Sequence, residues 1–223
     1  MEDKSGMCTV TFNKDDLTVL EEIAKMRRKL KDPRIANTPD IIAYGRGNYL
    51  ATNGACLISV GWIGSPIDGK GSIRDTETAQ GFNLVGKKRL TGAGKNCMEA
   101  YLNPDTSEQG QNAVSQLMGY IPRLIQEQGK STILDGGKVF TFPVEPEKID
   151  ITITNLIAYI HQEFNIAISY KYLIPILKTG SKFTIQRGSS ENTIYIERVS
   201  SAGVVHPLTA VVASCLNEKY LER

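Results

Sequence analysis

The chain has 223 residues, 41% of them hydrophobic, and a formal net charge of +2 from 26 basic against 24 acidic side chains. That length suits one large domain or two small ones, and the charge is too small to announce nucleic acid by itself. Apolar runs such as 156–160 fall far short of the roughly 20 residues that cross a bilayer, so no membrane protein is expected.

Met1-Glu2-Asp3-Lys4-Ser5 opens with charges and without an apolar core, so no secretory signal is read and a cytoplasmic protein is expected. The cysteines at 8, 56, 97 and 215 have no short spacing, which leaves neither a zinc cluster nor a redox pair and predicts free, mostly buried thiols.

Cys8–Asn13 alternates like a strand, and 15–31 has helical periodicity. Asn13 or Asp15 can cap that helix. Leu17, Leu20, Ile23, Ala24 and Leu30 form its apolar stripe, with Glu21, Glu22, Lys25, Arg28 and Lys29 on the opposite side. Segments 40–44, 49–52 and 56–62 read as three further strands, separated by Gly45-Arg46-Gly47-Asn48 and Asn53-Gly54 turns.

Glycine recurs at 64, 69, 71, 81, 86, 92, 94 and 110, which predicts loops and short elements. Ala113, Val114, Leu117, Met118, Ile121, Leu124 and Ile125 have helical spacing, with Gly119 and Pro122 predicting a kink or break. A strand over 139–144 could hairpin with 131–134 across Asp135-Gly136-Gly137. Segment 149–160 reads either as a strand entering a helix or as one continuous helix, and the β-branched run Ile151-Thr152-Ile153-Thr154 favours strand first.

The opening order then returns. Segment 166–169 reads as a short strand, 170–179 as a short amphipathic helix, and Lys182–Arg187, 193–199 and 207–213 as three strands. The expected fold is therefore α+β: one domain over 1–223, made of duplicated β-α-β-β-β halves at about 8–63 and 164–216, with a large Gly-rich insertion at about 64–148.

Catalytic constellations are sparse. His161 and His206 stand in no metal-ligand spacing. Gly92-Ala-Gly-Lys-Asn96 resembles the end of a phosphate loop, but Arg89 occupies the first glycine's place and Asn96 replaces the magnesium-binding hydroxyl. The carboxylate pairs Asp15/Asp16, Glu21/Glu22 and Glu145/Glu147 are explained by capping and solubility, with none expected to be buried. No enzyme, cofactor or metal is expected.

Positive charge is better organised than its total. Lys25, Arg28 and Lys29 stand on the polar face of the first helix, with Arg27, Lys31 and Arg34 extending the cluster. Lys87, Lys88, Arg89 and Lys95 form a second cluster. A charge run alone is more often a solvated face than a nucleic-acid site. Lys171 and Lys178 on the second short helix raise the functional reading, because two matching helices could then present cations to one phosphate backbone.

Asp40-Ile-Ile-Ala-Tyr-Gly-Arg-Gly-Asn-Tyr-Leu-Ala-Thr-Asn-Gly-Ala-Cys-Leu-Ile-Ser-Val60 resembles the bacterial DNA polymerase sliding clamp, whose strand, turn and strand lead into Ala-Thr-Asp-Gly-His-Arg-Leu. Residues 167–178, followed by Phe183-Thr-Ile185 and Ile194-Tyr-Ile196, are similar to the second half of a clamp domain. The resemblance covers about half the chain and implies a ring of domains around duplex DNA, with helices lining the hole and a partner peptide in a surface cleft.

By this resemblance Lys25, Arg28, Lys29, Lys31, Lys171 and Lys178 would contact DNA. Thr52, Gly54 and Leu57 match the peptide pocket, while Ala55 and Cys56 replace its histidine and arginine, so peptide binding is expected to be weak. The chain holds one clamp domain plus an insertion, or at most two diverged ones, so a ring requires a homo-oligomer. The implied partners are duplex DNA, read without sequence preference, and a polymerase or other replication protein. The function expected is non-enzymatic DNA encircling or tethering. The alternative keeps the fold as an oligomeric adaptor without DNA, and covering of Lys25, Arg28 and Lys29 by the insertion would favour it. An enzyme sited around 87–96 is a third class, with no base or metal ligand set to accompany it.

Overall fold

The computed structural model describes residues 6–30, 33, 35–44, 47–61, 79–91, 96–119, 140–188, 192–199 and 208–215. Among them a single antiparallel sheet contains β1 (Cys8–Asn13), β2 (Ile41–Tyr44), β3 (Asn48–Thr52), β4 (Cys56–Val60), β5 (Gln80–Arg89), β6 (Cys97–Pro104), β7 (Phe140–Pro143), β8 (Lys182–Arg187), β9 (Thr193–Arg198) and β10 (Leu208–Ala213). Their spatial order is β1-β6-β5-β2-β3-β4-β10-β9-β8-β7. The helices are α1 (Lys14–Leu30), α2 (Glu108–Met118), α3 (Ile149–Phe164) and α4 (Tyr170–Leu177). The class is α+β, and no described helix is long and apolar enough to cross a membrane.

Local chemistry sets the bounds of α1. Asn13 Oδ1 accepts from the Asp15 amide at 2.9 Å. Asp15 and Asp16 occupy the first turn, and Arg27, Arg28 and Lys29 the last, each favourable to the helix dipole. Leu17, Leu20 and Ile23 enter the main core with Ile153, Leu156 and Ile160 of α3 and Leu173 and Ile176 of α4. Truncating one such buried leucine to alanine costs about 2–5 kcal/mol.

Strand alternation puts Ile41 in this core and Ile42 in a second cluster, where Val114 of α2 packs with Tyr44 and Leu50. Helices α1, α3 and α4 therefore share one face of the sheet, and α2 covers part of the other. The sheet also curls around α1. Phe12 on β1 and Tyr49 on β3 have ring centroids 4.7 Å apart, edge to face. Three strands separate β1 from β3 in the sheet order. At about 4.8 Å per strand a flat sheet would hold the two rings about 19 Å apart.

Several sequence expectations are corrected. Residues 80–104, expected as loops and short elements, hold the ten-residue β5 and the eight-residue β6, and β5 pairs with β2 while β6 pairs with β1. Segment 149–160 is helical throughout, because Ile153, Leu156, Ile160 and Phe164 bury one helical stripe. That burial outweighs the few tenths of a kcal/mol that each β-branched residue costs a helix. Segment 166–169 is not a strand: Asn165, with φ 55°, ends α3, and Ile166 and Ile168 are buried in the short stretch before α4. The Cys215 amide, just past β10, donates to the Ala167 carbonyl at 2.7 Å.

Helix α2 begins earlier than the pattern at 113 suggested, because the Ser107 side chain caps it by accepting from the Gly110 amide, and it ends at Met118 before Gly119. Of the four free cysteines, Cys56 is buried and Cys8, Cys97 and Cys215 are half-buried. Asp16, expected to be exposed, is buried against Arg198. Trp62, residues 92–95, the helix expected to continue over 121–125, the hairpin expected from 131–134 and His206 lie outside the described residues.

Candidate nucleic-acid interface

The exposed side of α1 carries Lys25, Arg28 and Lys29, and the side chains of Lys25 and Arg28 are 54% and 51% exposed. Helix α4 lies beside α1, the two lining a shallow depression with Asp15, Thr18 and Glu22 from one and Pro175 and Lys178 from the other. Lys171 on α4 and Lys178, which caps its C-terminus, are exposed, and Lys171 Nζ stands 6.0 Å from the centroid of the Tyr170 ring. Four of the six residues singled out for DNA thus lie on two adjacent helices and a fifth at the end of one. Lys31 lies outside the described residues, as do Arg34 and Lys95.

The cations are held by carboxylates in a two-to-one ratio. Glu21 receives Lys25 at 2.9 Å and Lys87 at 2.7 Å. Asp40, itself buried, receives Arg27 at 2.7 Å, Arg28 at 2.8 Å and the Leu84 amide at 3.1 Å. Each group keeps one unit of positive charge while its long side chains are held in place. Lys29 adds another. Burial acts to raise the Glu21 carboxyl, but hydrogen bonds from Lys87 and Lys25 outweigh it and the net direction is downward from 4.5.

Arg27 does not extend the exposed cluster. Its side chain is 5% exposed and its guanidinium donates to the Thr38 and Pro39 carbonyls as well as to Asp40. It anchors the end of α1 to the approach of β2. Burial pushes its pKa down, opposed by Asp40.

The residues matched to a peptide pocket are arranged differently. Thr52 and Leu57 stand opposite one another across β3 and β4. The Thr52 hydroxyl donates to the Cys56 carbonyl and accepts from the Gly54 amide, so it is spent within its own turn. Leu57 packs on the cluster that Val114 of α2 joins, on the sheet face opposite α1. Gly54 sits at the turn with φ +89°.

Among the described residues no three His, Cys, Asp or Glu side chains come together so as to hold a metal ion, and His161 is exposed on α3. Burial pushes the Cys56 thiol up, away from the reactive thiolate.

No protein-family model matches the chain, and no curated protein matches it in sequence. Among solved structures, the DNA polymerase III subunit beta from Pseudomonas aeruginosa is similar over 96% of this chain and 68% of its own, with a TM-score of 0.42 and 10% identity. A DnaN sliding clamp (DNA polymerase III subunit beta) from the same organism, bound to griselimycin, is similar over 97% and 68%, with a TM-score of 0.38 and 10% identity. Similarity at this level transfers no site residue.

Proposed function

We propose that the chain is a non-enzymatic DNA-tethering protein of the sliding-clamp kind, holding duplex DNA against the face that carries α1 and α4. The observation behind this reading is the excess of exposed cations over carboxylates on two adjacent helices. Lys25, Arg28, Lys29, Lys171 and Lys178 would contact phosphates and leave base edges unread, which permits sliding. The adaptor alternative would be favoured by burial of these cations, and the half-exposed side chains of Lys25 and Arg28 speak against it.

In this reading the segments near each end are two halves of one design that share a helix followed by three strands, the second half lacking the opening strand expected at 166–169. The antiparallel pairing of β4 with β10 and the packing of α1 beside α4 support that. Encircling DNA requires further copies. Among the described strands, β1 and β7 end the sheet with one neighbour each, so β1 of one copy could pair with β7 of the next in a head-to-tail ring. A polymerase or other replication protein would be the cargo.

The test is binding of the full chain to two labelled duplexes of unrelated sequence, compared with a Lys25→Gln, Lys29→Gln, Lys178→Gln variant. Equal affinity for both duplexes, and its loss in the variant, is expected. Failure of the wild-type chain to bind either duplex would leave the adaptor reading.

A further inference from the structure

Strand β5 contains one irregularity. Its register against β6 shifts between Leu84 and Gly86, leaving Val85 as an extra residue. Before the shift Leu84 stands opposite Leu102, and both pack in the main core on the side of α1. After it, Lys87 stands opposite Ala100, Lys88 opposite Glu99 and Arg89 opposite Met98.

Residues directly opposite one another in an antiparallel pair project to the same face. Ala100 belongs to the main core and Met98 packs against it, so Lys87 and Arg89 project on the helix-bearing face and Lys88 on the other. Strict alternation counted from Leu84 gives the reverse. The bulge re-aims two cations toward α1. The Lys87 Nζ contact with Glu21 Oε2 at 2.7 Å fixes the same placement independently.

Strand β5 also runs the length of α1. The Leu84 amide meets Asp40, which holds Arg28 near the helix C-terminus, and Lys87 meets Glu21 at mid-helix. At the far end Leu90 donates to the Cys97 carbonyl, while Lys14, the first residue of α1, donates to the neighbouring Asn96 carbonyl. We propose that Lys87 and Arg89 bind phosphates of the duplex that lies along α1, making β5 a second rail of the interface. This rests on the DNA-tethering reading. Two strand residues advance about 6.6 Å, close to the axial rise of two phosphate steps on one DNA strand, at about 3.4 Å of helix axis each.

The experiment measures duplex-DNA affinity against salt for the full chain, Lys87→Gln/Arg89→Gln, and Lys88→Gln as a matched control on the other face. The salt slope of the double variant should fall by about 1.8, at about 0.9 per phosphate contact, with Lys88→Gln unchanged. If the double variant keeps the wild-type slope, or Lys88→Gln lowers it equally, the assignment is overturned while the helix-face reading stands. A double variant that loses thermal stability but keeps its slope shows a structural Glu21 pair alone, and also overturns it. Absence of wild-type DNA binding removes both this assignment and the tethering reading.

Discussion

Arg198 of β9 donates from Nη1 to Asp16 Oδ1 of α1 at 2.7 Å, across 182 residues of sequence. Side-chain exposures of 12% and 4% place the pair out of bulk water. Arg198 also donates to the Thr179 carbonyl beyond α4, so one guanidinium ties both helices to the sheet. Removing one partner of a buried ion pair leaves an uncompensated charge and costs about 3–5 kcal/mol. Arg198→Met should therefore lower the denaturant midpoint substantially, and Asp16→Leu/Arg198→Met should recover much of that loss. A single variant as stable as wild type would show that the pair does not join the two segments.

Two turn glycines should differ in how much they tolerate. At Gly54, with φ +89°, an added Cβ would meet Ile35 Cδ1 at 3.1 Å, a side-chain tip that can give way. Gly54→Val should cost on the order of 1 kcal/mol or more, mainly from the strained backbone. At Gly61, with φ +95°, the added Cβ would collide with the Gly47 carbonyl oxygen, which is backbone. Gly61→Ala should be the worse of the two in thermal unfolding despite the smaller side chain.

Glu21 makes a pH prediction. Its folded-state pKa lies below the ordinary 4.5, through Lys87 and Lys25 acting against burial. The stabilisation is therefore complete above about pH 4.5 and is lost as pH falls through the lowered value. Unfolding curves collected down that acid range should show a steeper loss for wild type than for Glu21→Gln. Parallel curves would mean that the two lysines add nothing to the fold.

Among the described strands β1 has a single neighbour, and its outer edge predicts self-association. Thr9 and Thr11 are exposed on that strand. Lysines on an edge strand discourage pairing with another chain. Sedimentation should give a mass that is a multiple of the protomer, reduced in Thr9→Lys/Thr11→Lys. A strict monomer at high concentration would remove the encircling part of the proposal.

Much of the fold was legible where burial follows a local period. Cys8–Asn13 and Lys182–Arg187 are strands with the bounds that alternation predicts, and the α1 stripe from Leu17 to Ala24 is buried as its spacing requires. The misreadings come from contacts distant in sequence. Gly81 looked like loop punctuation, yet it lies within β5, where a Cβ would run into Pro39 and Val114.

The charged site divides the same way. Lys25 and Lys29 read correctly as a polar helix face, because exposure there follows from helical spacing. Arg27 belonged by type to the same run, but Asp40, 13 residues on, draws it inward. No short-range spacing announces that partner. The placement of Lys87 and Arg89 depends on one bulge, which a period-2 count cannot register.

The most direct test of the tethering claim is the salt dependence of duplex binding by the wild-type chain, from about 50 to 200 mM. A linear fall of log affinity with log salt is expected, with a slope of about −4.5 or steeper for the five helix cations at about 0.9 per phosphate contact. The slope should be shallower in Lys25→Gln/Lys29→Gln/Lys178→Gln. No binding at about 50 mM salt, where phosphate contacts are least screened, would contradict the tethering claim and reduce the cation cluster to a solvated face.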